Sequence, residues 1–434
     1  FIDNQGNFGA DGIVGPHHEK EGSFYTIKQL WSPVQIMNTS VDKQFDGKFS
    51  VENRYDYLNL NTCRFLWKQV KFPTATDASN TTAQVLKQGE TQGSDVAAHS
   101  AGVLNIKTTI LPDADALFLT AIDRYGHELW RWTFPVNKLN QANEVLSPLS
   151  NKVTSTETEN ELTVKAKNHT FIFSKKDGQL KGVSVNNRMI SFANGPRFIG
   201  ARRADRSLDQ FYNHDDEKAK EKDRTYSEFP DAAVFTKLDV KEDGGNLIVT
   251  ADYKLGNLDK AQWTINPSGE AVLDYTYNFS GVVDLMGICF DYPEDQVISK
   301  RWLGAGPYRV WQNRIHGTQY DVWENDYNDP IPGETFTYPE FKGYFGSVSW
   351  MNIRTKEGTI SLTNETPDAY IGVYQPRDGR DRLLYTLPES GISVLNVIPP
   401  VRNKVNSTDL CGPSSQPKWV NGPQSGRIIF RFME

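Results

Sequence analysis

Apolar residues recur along this chain mostly at the spacing typical of β-strands. Between residues 34 and 136, short stretches either alternate apolar with polar residues or stay apolar over strand length, as 64–72 and 117–123 do. Residues 19–30 instead carry apolar side chains at three- and four-residue spacing, which predicts a short amphipathic helix that ends at Ser32-Pro33. The pattern therefore predicts a mainly β protein.

The predicted strands fall into two groups. About 100 residues with some seven short strands are typical of an immunoglobulin-like β-sandwich, which we place at residues 32–137. Residues 138–160 are polar and have no period, which indicates a linker. Strand signals then continue over residues 161–434, including the hairpin signal Lys176-Asp177-Gly178. This length of antiparallel strand with almost no helix predicts one large β-sandwich.

Composition and charge exclude several classes of protein. Of the 434 residues, 38% are hydrophobic and 23% are charged, which is typical of a folded chain and not of a disordered or collagen-like one. No apolar run approaches the roughly 20 residues that a membrane helix needs, so we expect no membrane span. The net charge is −7 and the basic residues are scattered, which argues against nucleic acid as a partner. Cys63, Cys289 and Cys411 lack metal-ligand spacing, and we expect them to be buried free thiols.

The chain carries no short catalytic signature. It has no Gly-rich phosphate loop, no Gly-x-Ser-x-Gly turn and no His-Glu-x-x-His sequence. Glycoside hydrolysis needs two carboxylates that flank the scissile bond, and no local pattern selects such a pair among the many acids. Most enzyme classes with short signatures are therefore disfavoured.

Aromatic and polar residues are dense between Trp302 and Trp350, where Trp311, Tyr320 and Trp323 also lie. Flat rings beside Asn, Asp and Arg suit a sugar, because a pyranose presents a C–H face that stacks and hydroxyl groups that form hydrogen bonds. The alternative, which we favour for any single Trp, is that these rings fill the core of the large sandwich.

Several segments match one known family in the same order along the chain. They are Asn7 to Val14 with the helix and Ser32-Pro33-Val34, then Asp177 to Leu180 with Gly195 to Phe198 and Ala201 to Asp205, then Trp302 to Pro307, and finally Tyr338-Pro339-Glu340 with Gly343. Together they resemble the C-terminal half of glycoside hydrolase family 2 β-galactosidases.

The resemblance implies a layout for the whole chain. Residues 1–31 would be a remnant of the (β/α)8 catalytic barrel, 32–137 the immunoglobulin-like sandwich, 138–160 a linker, and 161–434 a galactose-mutarotase-like antiparallel sandwich. Both catalytic Glu residues of the family would then lie upstream of Phe1, so the resemblance implies no catalytic residue within this chain. The family's acid/base sequence Asn-Glu-Pro is absent here, in agreement with this layout. We expect the chain to belong to a longer polypeptide, with the upstream barrel as its partner.

The resemblance also implies two site positions. Phe8, through its carbonyl, and Asp11, through its side chain, stand where the family can hold a sodium ion, although Asp replaces the usual Asn and changes the charge. We expect no required cofactor, and Na+ is the one ion that the resemblance implies for this site. The family also returns a Trp to its active site from a loop near the C-terminus. Trp419, in the loop that starts at Asp409, is our predicted substrate-binding residue, and the alternative is that its ring only anchors the loop.

Three functions remain open from the sequence. The first is the non-catalytic C-terminal region of a retaining glycosidase that resembles β-galactosidase, with a carbohydrate as substrate. The second is a free-standing carbohydrate-binding β-sandwich protein. The third is an aldose epimerase, which needs a His and an acid in one pocket, and His316 is the only His in the aromatic stretch. A homo-oligomer stays open, and the sequence predicts neither the sugar nor the compartment.

Overall fold

The computed structural model describes residues 13–14, 20, 22–77, 82–136, 152–203, 226–326, 343–373, 390–400 and 412–434. Within these residues the chain forms 26 β-strands and one α-helix, and the strands of each sheet pair antiparallel, which confirms the predicted mainly β fold. No helix among them is long and apolar enough to span a lipid bilayer. The chain divides into two compact units. The first comprises Phe1–Asn143, Leu303–Tyr308 and Ile315–Trp323, and the second comprises Glu144–Trp302, Arg309–Arg314 and Glu324–Glu434.

The helix of the first unit, α1, spans Gly22–Leu30 and confirms the predicted amphipathic helix. Its last turn closes with the N–H of Trp31, which donates to the carbonyl of Ile27 at 2.9 Å. Pro33 follows and cannot continue the helix, because it has no N–H. Leu30 is 47% exposed and Trp31 is 79% exposed, so part of the apolar stripe of α1 faces solvent.

Two hydrogen bonds hold α1 to a segment that is distant in sequence but belongs to the same unit. The hydroxyl of Thr26 donates to the carbonyl of His316 at 2.9 Å. The backbone N–H of Gly317 donates to Oε1 of Gln29 at 2.6 Å. The helix is therefore part of the first unit rather than a free N-terminal arm.

Seven strands form an immunoglobulin-like sandwich in the first unit, as the sequence predicted. They are β1 (Val34–Ile36), β2 (Lys48–Asn53), β3 (Arg64–Lys71), β4 (Gln84–Gln92), β5 (Ser100–Asn105), β6 (Ala116–Ile122) and β7 (Glu128–Pro135). One sheet has the order β1-β2-β5 and the other has the order β4-β3-β6-β7.

The core of this sandwich forms because alternate residues of each strand point inward. Phe49 of β2 and Phe134 of β7 come from the two sheets, and their ring centroids lie 4.9 Å apart. Phe65 and Leu104 are fully buried beside them. The thiol of Cys63 lies in the same core, and burial raises its pKa. Free, buried thiols are thus confirmed for Cys63, and also for Cys289 in the second unit, whereas residue 411 lies outside the described residues.

The remaining strands form two large sheets. The strands are β8 (Thr154–Glu157), β9 (Glu161–Ala166), β10 (His169–Ser174), β11 (Leu180–Val185), β12 (Arg188–Ile190), β13 (Ala193–Arg203), β14 (Tyr226–Glu228), β15 (Val234–Asp243), β16 (Asn246–Lys254), β17 (Leu258–Ile265), β18 (Ala271–Val283), β19 (Leu285–Asp291), β20 (Val297–Gly306), β21 (Gln319–Asp326), β22 (Trp350–Thr355), β23 (Gly358–Asn364), β24 (Tyr370–Val373), β25 (Ile392–Val397) and β26 (Lys418–Met433). The ten-stranded sheet has the order β24-β25-β19-β13-β11-β10-β9-β8, with β12 beside β11 and β14 beside β13. The nine-stranded sheet has the order β15-β16-β17-β18-β26-β23-β22-β20-β21.

Aromatic rings from both large sheets interlock to form the core of the second unit. Phe173 of β10 contacts Trp263 of β17, with ring centroids 6.2 Å apart. Phe290 of β19 contacts Phe430 of β26 at 5.6 Å. Because each buried ring removes on the order of 200 Å² of surface from water, such contacts dominate the stability of the sandwich. The large antiparallel β-sandwich predicted from the sequence is present.

The division of the chain into 1–31, 32–137, 138–160 and 161–434 stays a prediction, but two observations bear on its boundaries. Strand β8 lies inside the range given to the linker and pairs with β9. Its sequence, Thr-Ser-Thr-Glu, is entirely polar and all four residues are exposed. The strand therefore has no alternation of apolar and polar residues by which it could be predicted. The segment Ile315–Trp323 belongs to the first unit, although the sequence placed it with the large sandwich.

Candidate functional site

A polar cavity of about 460 Å³ lies on the outer face of the nine-stranded sheet. Alternate residues of a strand share one face, and here the polar ones lie opposite the buried Trp263 and Leu273. The strands β17, β18 and β26 each contribute a polar pair: Lys260 with Gln262, Asp274 with Thr276, and Ser425 with Arg427. The strand register sets the pairs side by side. We call this feature the sheet-face cavity.

An arginine between two carboxylates dominates the charge of the sheet-face cavity. Nη1 of Arg427 donates to both oxygens of Asp274, at 3.0 and 3.2 Å. Its Nε lies 3.1 Å from Oε2 of Glu365. Lys260 adds a second positive charge and makes no ion pair with any described residue. Two positive and two negative groups therefore line the cavity, which favours a ligand without net charge.

The backbone around Gly426 brings the loop that carries Glu365 close to β26. A Cβ atom at Gly426 would lie 2.3 Å from the hydroxyl of Tyr275 and 2.6 Å from Oγ1 of Thr366, so any other residue would force these side chains to shift. The N–H of Glu365 donates to the carbonyl of Arg427 at 3.0 Å, and the N–H of Arg427 donates to Oγ1 of Thr366 at 3.0 Å. The loop is thus fixed to the strand, and both carboxylates keep their positions without a ligand.

The groups of the sheet-face cavity can hold hydroxyls but offer little for bond cleavage. Gln262 supplies an amide with donors and an acceptor, Thr276 and Ser425 supply hydroxyls, and Lys260 supplies three N–H donors. Both carboxylates bind the same guanidinium, an arrangement that orients acceptors for a polar ligand. The cavity therefore fits a neutral, hydroxyl-rich molecule such as a saccharide.

A family comparison identifies the kind of protein. The family described as "Beta galactosidase small chain" matches residues 165–397, which is more than half of the 434 residues. The chain belongs to the β-galactosidase small-chain family. Its large sandwich is thus a glycosidase-related region, and the resemblance recognised at Asp177 to Leu180 and at Trp302 to Pro307 falls within the matched range. No curated protein matches the chain.

Several solved structures match this chain at low sequence identity. A candidate mutarotase, YeaD, from Salmonella typhimurium has 10% identity and a TM-score of 0.30, with 68% of this chain and 97% of that chain covered. The protein HI1317 has 8% identity and a TM-score of 0.31, with 66% and 98% covered. The cycloalternan-forming enzyme from Listeria monocytogenes has 9% identity and a TM-score of 0.20, with 92% and 30% covered. Scores this low add nothing to the fold derived from the strand pairing.

Trp419 does not lie in a loop, and that part of the prediction was wrong. It is the second residue of β26 and pairs with Val282 of β18. At Pro423, β26 pairs with β18 and has no other neighbour among the described strands. The strand can continue through this proline because its missing N–H faces the edge that has no partner strand. The indole is 71% exposed and on the same strand face as Arg427, about 25 Å away along β26. Its role in substrate binding stays a prediction.

Of the other predicted site residues, only His316 lies within the described part of the chain. Phe8 and Asp11 lie outside the described residues, so the sodium site stays a prediction. Among the described residues no group of three His, Cys, Asp or Glu side chains could hold a metal ion. His316 is exposed, and its imidazole contacts no acid in the described part of the chain.

Most described rings of the aromatic stretch belong to a core. Trp302, Trp311 and Trp350 are at most 2% exposed, which agrees with the interpretation favoured for any single Trp. Trp323 is partly buried, and its indole N–H donates to the carbonyl of Gln319 at 2.9 Å. The three buried rings therefore have no free face for a sugar.

Sequence reasoning missed the sheet-face cavity. Asp274, Glu365 and Arg427 are far apart in the sequence and form no motif. The available signal was the alternation of polar residues within strands, as in Lys260-Ala261-Gln262 and Ser425-Gly426-Arg427. That alternation identifies a polar face, but the register that joins three such strands is visible only in the structure.

Proposed function

We propose that this chain is the non-catalytic C-terminal region of a family 2 glycoside hydrolase that resembles β-galactosidase. The observation that carries the proposal is the family match over residues 165–397, together with the order of the segments that resemble β-galactosidase. The upstream barrel would supply both catalytic Glu residues for retaining hydrolysis of terminal β-galactosides or related glycosides. This chain would stabilise that barrel and complete the sugar site.

The sheet-face cavity supports a role in carbohydrate binding. Its hydrogen-bonding groups are fixed in place by Gly426 and by the pairing of β26 with β18. Its balanced charge suits an uncharged sugar. The cavity suits binding rather than catalysis. A retaining glycosidase needs a free carboxylate as nucleophile and a separate proton donor, whereas both carboxylates here contact Arg427.

A free-standing carbohydrate-binding protein is the second candidate. It is favoured by the fact that every residue lining the sheet-face cavity comes from the second unit alone, so the cavity needs no upstream domain. The two candidates differ in the gene: an upstream reading frame that encodes Asn-Glu-Pro within a barrel would select the first.

The proposal is tested by assaying the chain with aryl β-galactosides beside the longer polypeptide. We expect turnover by the longer polypeptide and none by the chain alone. Turnover by the chain that survives repurification and a second column would refute the proposal, because the chain would then contain its own catalytic pair.

A further inference from the structure

A second cavity, of about 580 Å³, opens between the two large sheets of the second unit. One wall comes from the β10–β11 hairpin, from β13 and from β14 with the loop that follows it. The opposite wall comes from β15, β16 and the start of β17. Its main lining residues are Lys176, Gln179, Arg197, Glu228, Phe229 and Tyr253. We call it the edge cavity, and it shares no lining residue with the sheet-face cavity.

Contacts between backbone groups and side chains hold the two walls of the edge cavity together. At Gly178, where φ is +73°, a Cβ atom would lie 2.7 Å from the ring of Phe235, so the hairpin packs directly on β15. The hydroxyl of Tyr253 donates to the carbonyl of Asp177 at 3.0 Å. Oδ1 of Asp231 accepts the backbone N–H of Asn257 at 2.9 Å, which ties the loop after β14 to the start of β17. The cavity therefore exists before any ligand binds.

Some charged groups in the edge cavity are already paired. The carboxylate of Asp177 lies 3.4 Å from Nζ of Lys181, and the guanidinium of Arg197 donates to Asp291 at 2.5 Å. These pairs neutralise each other, so they add no net charge that would select a charged ligand.

Three polar side chains in the same cavity are available to a ligand. The ammonium of Lys176, the side-chain amide of Gln179 and the carboxylate of Glu228 make no hydrogen bond or ion pair with any described residue. They offer one positive group, one negative group and one amide that both donates and accepts, and the carboxylate of Asp231, which accepts only backbone N–H groups of described residues, adds a second negative charge. A molecule whose hydroxyls donate and accept can satisfy these groups at once, whereas an anion would be opposed by the carboxylates of Glu228 and Asp231.

The edge cavity also presents aromatic surface beside these polar groups. Phe229 packs against Phe279 with ring centroids 5.3 Å apart, and Phe235 packs edge-on against Tyr253 at 6.0 Å. Neighbouring rings hold each other in place, so they form a rigid apolar wall. Rigid rings beside mixed donors and acceptors are the combination that recognises the C–H face and the hydroxyl rim of a sugar.

We propose that the edge cavity binds a neutral saccharide and is a second carbohydrate site, separate from the sheet-face cavity. The assignment rests on the lining residues of the edge cavity and not on the proposed catalytic partner. It therefore goes beyond the proposed function, and the two can fail independently.

The test is calorimetric titration of the 434-residue chain with galactose, lactose and cellobiose, with glucuronate as a charged comparison. The edge-cavity variant combines Gln179→Ala with Glu228→Gln, and the matched control makes the same chemical changes in the sheet-face cavity with Gln262→Ala and Glu365→Gln. We expect at least one neutral sugar to bind about tenfold more weakly to the edge-cavity variant. Its affinity at the same site should change less than twofold in the control.

Several results would overturn the inference. They are unchanged binding of every probe by the edge-cavity variant, binding of no neutral sugar by the unmodified chain, or tighter binding of glucuronate than of the neutral sugars. If the double variant does not fold, Glu228→Gln alone repeats the test, because this side chain is exposed and unpaired among the described residues. Turnover of aryl β-galactosides by the chain alone would refute the proposed function and leave this inference untouched.

Discussion

Replacing Gly426 with Ala should destabilise the second unit. The added Cβ atom would lie 2.3 Å from the hydroxyl of Tyr275, whereas ordinary van der Waals contact needs about 3.4 to 4 Å. Tyr275 cannot easily move, because it is 2% exposed and its ring is stacked on that of Tyr277, with centroids 6.3 Å apart. Overpacking of this kind costs about 1–3 kcal/mol.

A smaller effect acts in the opposite direction. Ala restricts the unfolded chain more than Gly and so stabilises the folded state by about 0.4–1 kcal/mol where the backbone allows it. Subtracting the gain from the cost leaves a net loss of unfolding free energy at Gly426 of about 0 to 2.6 kcal/mol, with a midpoint of about 1.3 kcal/mol. In a domain of this size each kcal/mol lowers the melting temperature by about 2–4 °C, so the midpoint corresponds to a decrease of about 3–5 °C.

Differential scanning calorimetry measures this decrease, and Gly412→Ala is the matched control. Gly412 has φ of −64°, and no atom lies within 4 Å of a Cβ atom built there, so Ala should be neutral or slightly stabilising. The reasoning is refuted if the Gly426→Ala protein melts at or above the temperature of the Gly412→Ala protein.

Three further predictions follow from the burial of particular groups. In the longer polypeptide, Trp419→Ala should weaken substrate binding by about 1–3 kcal/mol. The melting temperature should change little, because the ring is 71% exposed. A large decrease in melting temperature with unaltered kinetics would contradict this prediction. Removal of residues 1–30 should leave both sandwiches folded, as judged by circular dichroism and calorimetry, and global unfolding would place α1 in a sandwich core. Burial raises the pKa of the Cys289 thiol from 9.0 to about 11 and that of Tyr275 from 10.0 to about 12. The unfolded chain therefore loses these protons first, and the free energy of unfolding should fall as pH rises from about 9 to 12. Urea denaturation at pH 8, 10 and 11 measures this, and Cys289→Ala should reduce the slope below pH 11; an identical slope in that variant would remove Cys289 as a cause.

The sequence predicted the fold class where burial repeats along the chain. Alternation in β2 and β3 identified strands of the smaller sandwich, and Lys176-Asp177-Gly178 marked a hairpin that the structure contains. These features are local, because each depends on residues that are neighbours in sequence.

Features that depend on pairing between distant strands could not be predicted. Gly422 and Pro423 indicated a loop, since both residues usually interrupt strands. They instead lie in β26, where pairing with β18 alone satisfies the backbone and leaves the other edge without a described partner. The contact of Arg427 with Asp274 has the same origin, because it exists only in the register that joins these two strands.

The central position of β26 in the nine-stranded sheet has a consequence for folding. Ala271 of β18 pairs with Phe430, and Leu362 of β23 pairs with the same residue from the other side. Until β26 has been synthesised, β18 and β23 expose open strand edges beside apolar side chains, and such edges promote association between nascent chains. Strands β18 and β26 are also far apart in the sequence, and such a separation slows folding, because the entropic cost of closing the intervening loop comes before the contacts form. The yield of soluble protein should therefore depend strongly on chaperone supply and growth temperature, even though the finished sandwich is stable.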